Sequence, residues 1–265
     1  MSLQYQKILR QERKQRRRLV MQLAVLVLLL LLCSYFVGLF DLARLTEGLP
    51  SLWLIANEGF PPNFSDWQNW LKPLFDTLAM SIVGTALAFT MALPLGILAA
   101  RNTTPHPIIY QLVRALLNLL RAIPELIMGI LFVAAVGFGV LPGVLALAFH
   151  SIGMVGKFVA ESIEHADNGP IEAVRATGAS PFQVVTHGVL PQVMSKVVDL
   201  ALYRWEYNFR ASTVLGMVGA GGIGFELMSS LRLMHYDEVV ALLLIILAMV
   251  TLVDSVGAFL RRRFK

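Results

Sequence analysis

The chain has 265 residues, of which 57% are hydrophobic and 15% charged, and its formal net charge is +5. That mixture lies outside the range of soluble globular domains, so counting soluble domains by length does not apply. The positive charge gathers at the two ends rather than on a folded basic domain, which speaks against nucleic acid and for the cytoplasmic flanks of membrane helices.

Residues 1–18 are a basic tail with Lys7, Arg10, Arg13, Lys14, Arg16, Arg17 and Arg18. Residues 19–40 are apolar and reach the roughly 20 residues that a membrane crossing needs. The run is longer than the roughly 7–15 residues of a signal-peptide core and has no small-x-small cleavage site, so a retained first helix is expected. Residues 41–72 read as an outside loop. Trp53, Trp67 and Trp70 are placed for the membrane interface, and a turn is expected from Gly59 to Phe64.

Residues 73–265 form a core of about five further helices. Spans are expected near 74–100, with Asp76 and Thr77 as caps, then near 110–140, from Pro142 to His165, near 193–218 and near 238–260. The third has Arg114 and Arg121 at its inner end, and Pro124 allows a kink near its start. Gly219, Gly221, Gly222 and Gly224 break the fifth at its outer end, where close backbone packing or a gate is possible. The expected fold is an all-α polytopic membrane protein of about six transmembrane helices. Both termini are cytoplasmic, because this parity puts the two basic ends and the polar stretch 168–192 on one side. The single cysteine, Cys33, forms no intrachain disulfide, and no Cys/His spacing points to a metal.

The stretch 168–192 reads as two short helices with a bend. Pro170 suits a first helical position, Gly178 a left-handed stop, Ser180 an N-cap, Pro181 a second first-position proline and Gln183 the return arm of a capping box. Pro191 is expected to limit the second helix. Glu172 and Arg175 keep the segment wettable, while Ile171, Val174, Phe182 and Val185 give it something to bury. Two readings stand: a solvated loop between spans, or a knob that docks on something.

Ionisable side chains inside spans are costly and so draw attention. Tyr203, Glu206, Arg210, Thr213 and Met217 recur at helical spacing as one stripe, with Glu206 and Arg210 placed to pair. Either the pair neutralises itself and packs one helix on another, or Tyr203, Arg204 and Arg210 line an aqueous path hospitable to an anion. Arg204 is the less satisfied arginine, because no carboxylate stands three or four residues after it. Arg121 and Glu125 flank Pro124 at the same spacing and leave the same two readings open. His150 suits an interhelical hydrogen bond, and Lys157 and Glu161 suit an i,i+4 pair. The glycine run lacks the Gly-Lys-Ser/Thr ending of a phosphate loop, and no nucleophile–base set identifies a catalytic residue.

Glu172-Ala173, Gly178 and Leu190-Pro191 resemble the coupling loop of ABC importer permeases, with Val174 in place of that motif's second alanine. Pro61–Trp67, Arg121–Glu125, Gly169–Ala179 and Tyr203–Gly224 resemble the phosphonate-type branch of that family, and the likeness runs from about Pro61 to the C-terminus. The resemblance implies the type I importer permease fold and a place in the bacterial inner membrane. It implies a second copy of the chain, two ATPase subunits that hold ATP and magnesium, and a periplasmic binding protein that delivers phosphonate or phosphite. It implies ATPase coupling through Glu172, Ala173, Arg175, Gly178, Leu190 and Pro191, and a translocation path near Tyr203, Arg204, Glu206, Arg210, Arg121 and Glu125. Methionine permeases share the coupling loop and the glycine run, but Arg204 and Arg210 argue against them. An ion-coupled carrier working alone and a membrane-embedded enzyme are the readings from other classes.

Overall fold

A computed structural model describes residues 3–264; Met1 and Ser2 of the basic tail and Lys265 lie outside the described residues, as do the side chains of 3–10, 44, 45 and 264. The described chain is helical, with no strand among the described residues. In order come α1 (Leu3–Phe36), α2 (Leu42–Glu58), α3 (Trp67–Leu98), α4 (Pro107–Ala122), α5 (Glu125–Val136), α6 (Val140–Glu164), α7 (Asn168–Ala176), α8 (Pro181–Gln183), α9 (Leu190–Leu215), α10 (Ile223–Arg232) and α11 (Tyr236–Phe264). Four helices are long and apolar enough to cross a membrane, and two sharply bent pairs bring the number to as many as six.

Residues 1–57 and 58–265 form two compact units. In the first, the apolar side chains from Leu19 to Leu31 are each at least half exposed, the surface of a helix meant for lipid. The segment expected as a loop after it is helical, as α2, with Pro50 inside. In the second unit α3 and α6 make the most extensive contact. Ala88, Ala92, Ala146, Ala148 and Ala160 are fully buried there, and small residues let backbones approach where lipid supplies no hydrophobic drive.

Two expected boundaries are corrected, and the kink that Pro124 allows in the third span is a full break. The second span starts at Trp67, because Trp70 buries against Ile223, Leu227, Val239 and Leu242 and so carries the helix outward. Trp70 is therefore core, not interface, and Thr77 is a buried mid-helix residue rather than a cap. The third span is broken: Ile123 is extended, Pro124 follows, and α4 and α5 meet at 89°. Proline disfavours helical geometry in the residue before it, and here that preference is obeyed. Beyond the glycine run the chain does not simply return but forms α10, bent by 57° from the preceding helix. The Gly59–Phe64 turn and the opening of α6 beside Pro142 are as expected.

Candidate functional site

The polar stretch folds as a helical knob. α7 starts two residues before Pro170, because the Asp167 side chain accepts from the Gly169 N–H at 3.0 Å and caps the helix there. Gly178 adopts φ +81, where nothing lies within 4 Å of an added Cβ. Ser180 and Gln183 close the expected capping box: the Ser180 N–H donates to Gln183 Oε1 at 2.8 Å and the Gln183 N–H to Ser180 Oγ at 3.4 Å. Pro191 does not end the second helix. A π-helical turn, Val184–Val189, runs straight into α9 with Pro191 in its first turn. A wider turn leaves room for a ring that lacks an N–H and would crowd an ordinary helical carbonyl.

Ile171, Val184 and Val189 are buried in the core that α3 and α6 share, which anchors the knob. Gln192, which sequence reasoning missed, clasps its two ends. Gln192 Oε1 accepts from the Asp167 N–H at 2.9 Å, while Nε2 donates to the Asp167 carbonyl at 3.1 Å. Glu172, Ala173, Arg175 and Gly178 face outward, as does Phe182 at 76% exposure, whereas Leu190 is half-buried. A hollow of about 580 Å³ is lined by Ala173, Val174, Gly178, Ala179, Gln183 and His187. Another of about 580 Å³ lies between the knob and the loop at Asn102 and Thr103.

At the far end of α9, Gly219, Gly221 and Gly222 take φ values of 105, 74 and 73. Thr77 fixes the break: its Oγ1 accepts from the Ile223 N–H and donates to the Pro73 carbonyl, both at 2.8 Å. Gly219 also accepts from the Gly139 N–H at 3.1 Å, which ties the glycine run to the start of α6.

Between these ends lies a polar cluster. Arg204 is 1% exposed. Its Nη2 donates to Ser151 Oγ at 2.8 Å and to Asn208 Oδ1 at 3.4 Å, its Nη1 lies 3.2 Å from the Met154 sulfur, and its guanidinium sits 4.4 Å from the centre of the Tyr207 ring. Asn208 Nδ2 donates to Thr85 Oγ1 at 2.9 Å, so α3, α6 and α9 meet here. Tyr207 Oη donates to Glu125 Oε1 at 3.0 Å. His150 Nδ1 lies 3.2 Å from the Ile123 carbonyl, the interhelical bond expected of it, at the break that Pro124 makes.

The expected pairings along the helices are replaced by pairings between them. Glu206 does not meet Arg210; it meets Arg261 of α11 at 2.7 Å, over Gly257, while Arg210 pairs with Asp254 at 2.8 Å. α9 and α11 lie side by side, and each acid finds its base across that contact. The Glu206–Arg261 contact is an ion pair whose angle makes no hydrogen bond. Glu125 is turned to Tyr207, so it leaves Arg121 exposed and without an ion pair among the described residues, and Lys157 and Glu161 likewise form no pair there. The stripe on α9 is divided: Tyr203 and Arg210 are exposed, Glu206 and Thr213 buried. Among the described residues, no three His, Cys, Asp or Glu side chains are gathered to hold a metal ion.

Residues 92–265 match the family described as "Binding-protein-dependent transport system inner membrane component". The chain is 62% identical to the phosphite transport system permease protein PtxC of Stutzerimonas stutzeri, over 92% of this chain and 89% of that one. It is 43% identical to the phosphate-import permease protein PhnE of Mycolicibacterium smegmatis, over 82% of this chain and 41% of that one. Among solved structures, a chain of the MetNI methionine ABC transporter in an inward-facing conformation superposes with a TM-score of 0.64 at 25% identity, covering 74% of this chain and 96% of that one.

Proposed function

Because the chain belongs to the family of binding-protein-dependent transport system inner membrane components, we propose that it is the membrane-spanning subunit of an ATP-driven importer for phosphite or phosphonate. The observation that carries the substrate class is the 62% identity to a phosphite permease over nearly the whole of both chains. The knob, the glycine break and the polar cluster all fall inside the matched 92–265 or depend on residues within it.

In this reading the knob, residues 168–192, faces the cytoplasm together with the basic residues 13–18 and 261–263, as the positive-inside tendency asks. Two ATPase subunits bind ATP and magnesium, and each takes the single knob of one of two permease copies. Glu172, Ala173, Arg175 and Gly178 form the docking face, while Leu190 and Pro191 join it to α9. The hollow lined by Ala173, Gly178 and His187 accepts a side chain of the ATPase, since it lies on the same outward face. Closing of the ATPase pair moves the knobs, the clasp at Gln192 passes the motion to α9, and the helices rock as rigid bodies between two states. A periplasmic binding protein meets the outer ends, near Gly219, Gly221, Gly222 and Gly224. Arg121, Tyr203 and Arg210 are polar side chains exposed on membrane helices. Such groups face a water-filled path or a partner rather than lipid, so these belong to the translocation path. Glu206 and Glu125 hold its walls through their partners.

The test is uptake into proteoliposomes that contain this chain, its ATPase and its binding protein. ATP-dependent uptake of phosphite or methylphosphonate, in preference to phosphate and methionine, is the expected result. Uptake by this chain without an ATPase would overturn the reading in favour of an ion-coupled carrier. The coupling role has its own test in a graded series at Gly178. A non-glycine residue in the left-handed region costs roughly 1–2 kcal/mol, least for asparagine and most for β-branched residues. Since no neighbour crowds the site, only backbone preference acts. ATP-driven uptake should therefore fall in the order Gly178→Asn, Gly178→Ala, Gly178→Val; equal uptake across the series would remove the left-handed turn from coupling.

A further inference from the structure

Arg204 is the largest fully buried side chain among the described residues, and it has no carboxylate in ion-pair contact. Glu125 bonds Tyr207 through Oε1 and leaves Oε2 buried without a hydrogen-bond partner, but it forms no ion pair with Arg204, while Glu206 pairs with Arg261 and Asp254 with Arg210. What touches the guanidinium directly is uncharged: a serine hydroxyl, an asparagine oxygen at the long distance of 3.4 Å, a methionine sulfur and a tyrosine face, with the Glu125 carboxylate lying behind that tyrosine. Its Nε is buried with no hydrogen-bond partner. A buried charge with weak neutral partners is unfavourable, and an arginine kept only for packing is better served by a counter-charge or an apolar residue.

We propose that Arg204, with Ser151 and Asn208, forms a binding site for the phosphorus oxyanion inside the bundle. This rests on the importer reading above. The guanidinium offers a planar fork of N–H donors that matches two oxygens of a tetrahedral oxyanion. The free Nε is one arm of that fork, and Nη2 becomes the other when the long contact to Asn208 is given up. The Ser151 hydroxyl, which donates to Asn208 Oδ1 at 3.2 Å, is then free to donate to a remaining oxygen of the anion, while Asn208 stays held to Thr85 through Nδ2. Because Thr85, Ser151 and Arg204 come from α3, α6 and α9, an anion seated here is felt by the three helices that must shift for the bundle to open. Asn208 is the selective element: it is neutral, and so does not compete with the substrate for Arg204.

That last point gives the test. Asn208→Asp places a built-in carboxylate where the structure has a neutral oxygen. If Arg204 is only structural, the new counter-charge raises the thermal midpoint of the assembled complex and leaves phosphite uptake within tenfold of the unsubstituted complex. If Arg204 receives substrate, the midpoint rises and uptake falls tenfold or more, because the carboxylate occupies the anion's place. A fall in midpoint with loss of uptake would be damage to the fold and would overturn the assignment. Arg204→Lys keeps the charge without the fork and carries the test if Asn208→Asp does not assemble. Co-purification with the ATPase and a tenfold or greater loss of phosphite uptake are expected; a smaller loss overturns the site. Absence of uptake by the unsubstituted complex would instead overturn the importer reading itself, and this site with it.

Discussion

Gly224→Ala should abolish accumulation of a monodisperse chain, or at the least lower its thermal midpoint more than any substitution on the knob. An added Cβ at Gly224 would lie on the Thr213 carbonyl, with that group's carbon at 2.8 Å and the Gly216 Cα at 3.3 Å. Overpacking a core by a methyl costs about 1–3 kcal/mol when side chains can rotate away. Here the obstacle is backbone on both sides, so no rotamer relieves it, and the α9–α10 crossing must open. That crossing also carries the Thr77 bond to the Ile223 N–H, which would be strained along with it. Gly178→Ala is the internal control, since that position is open and pays only a conformational preference. Thermal midpoints of the two variants in the same detergent decide the matter: if Gly224→Ala melts within a degree or so of the unsubstituted chain, the crossing is not as tight as drawn.

The contrast between these glycines also marks what the sequence discloses. Gly178, Ser180, Pro181 and Gln183 were legible because a left-handed stop and a capping box act within four residues, and local chemistry decides them. The span count was legible for a related reason: lipid leaves each crossing helix to satisfy its own backbone, so a run of apolar residues is nearly enough. Pro191 was misread because the remedy for a helix proline, a π-helical turn upstream, is a property of the whole segment and not of the residue. Asp167 and Gln192 went unseen because the clasp joins residues 25 apart in sequence. The same limit governs charge. Spacing along one helix put Glu206 with Arg210, whereas the fold puts Arg210 with Asp254, 44 residues away. Within a bundle, a neighbouring helix competes with the next turn for partners, and no one-dimensional pattern reveals which neighbour it will be. Arg204 shows the profitable side of this. Its lack of a local acid was readable from the sequence, and among the described residues no other helix gives it an ion pair.

The pair that the fold does make has an asymmetry that a thermal or denaturant titration in micelles can expose. Glu206 is 7% exposed in its side chain and Arg261 26%. Removing Arg261 strands a carboxylate in the bundle, and breaking a buried pair in that way costs about 3–5 kcal/mol. Removing the acid strands only an arginine on the last turn of α11, beside Arg262 and Arg263, where a long side chain can reach water. Arg261→Gln should therefore destabilise strongly and Glu206→Gln by about 1 kcal/mol, the scale of a partly exposed pair. The double variant Glu206→Gln/Arg261→Gln should return close to Glu206→Gln alone, because the stranded carboxylate is gone. If Glu206 instead lined an open aqueous path, water would solvate it and Arg261→Gln would be as mild as its partner. The order of the three stabilities thus reports how dry the α9–α11 contact is, independently of any transport assay.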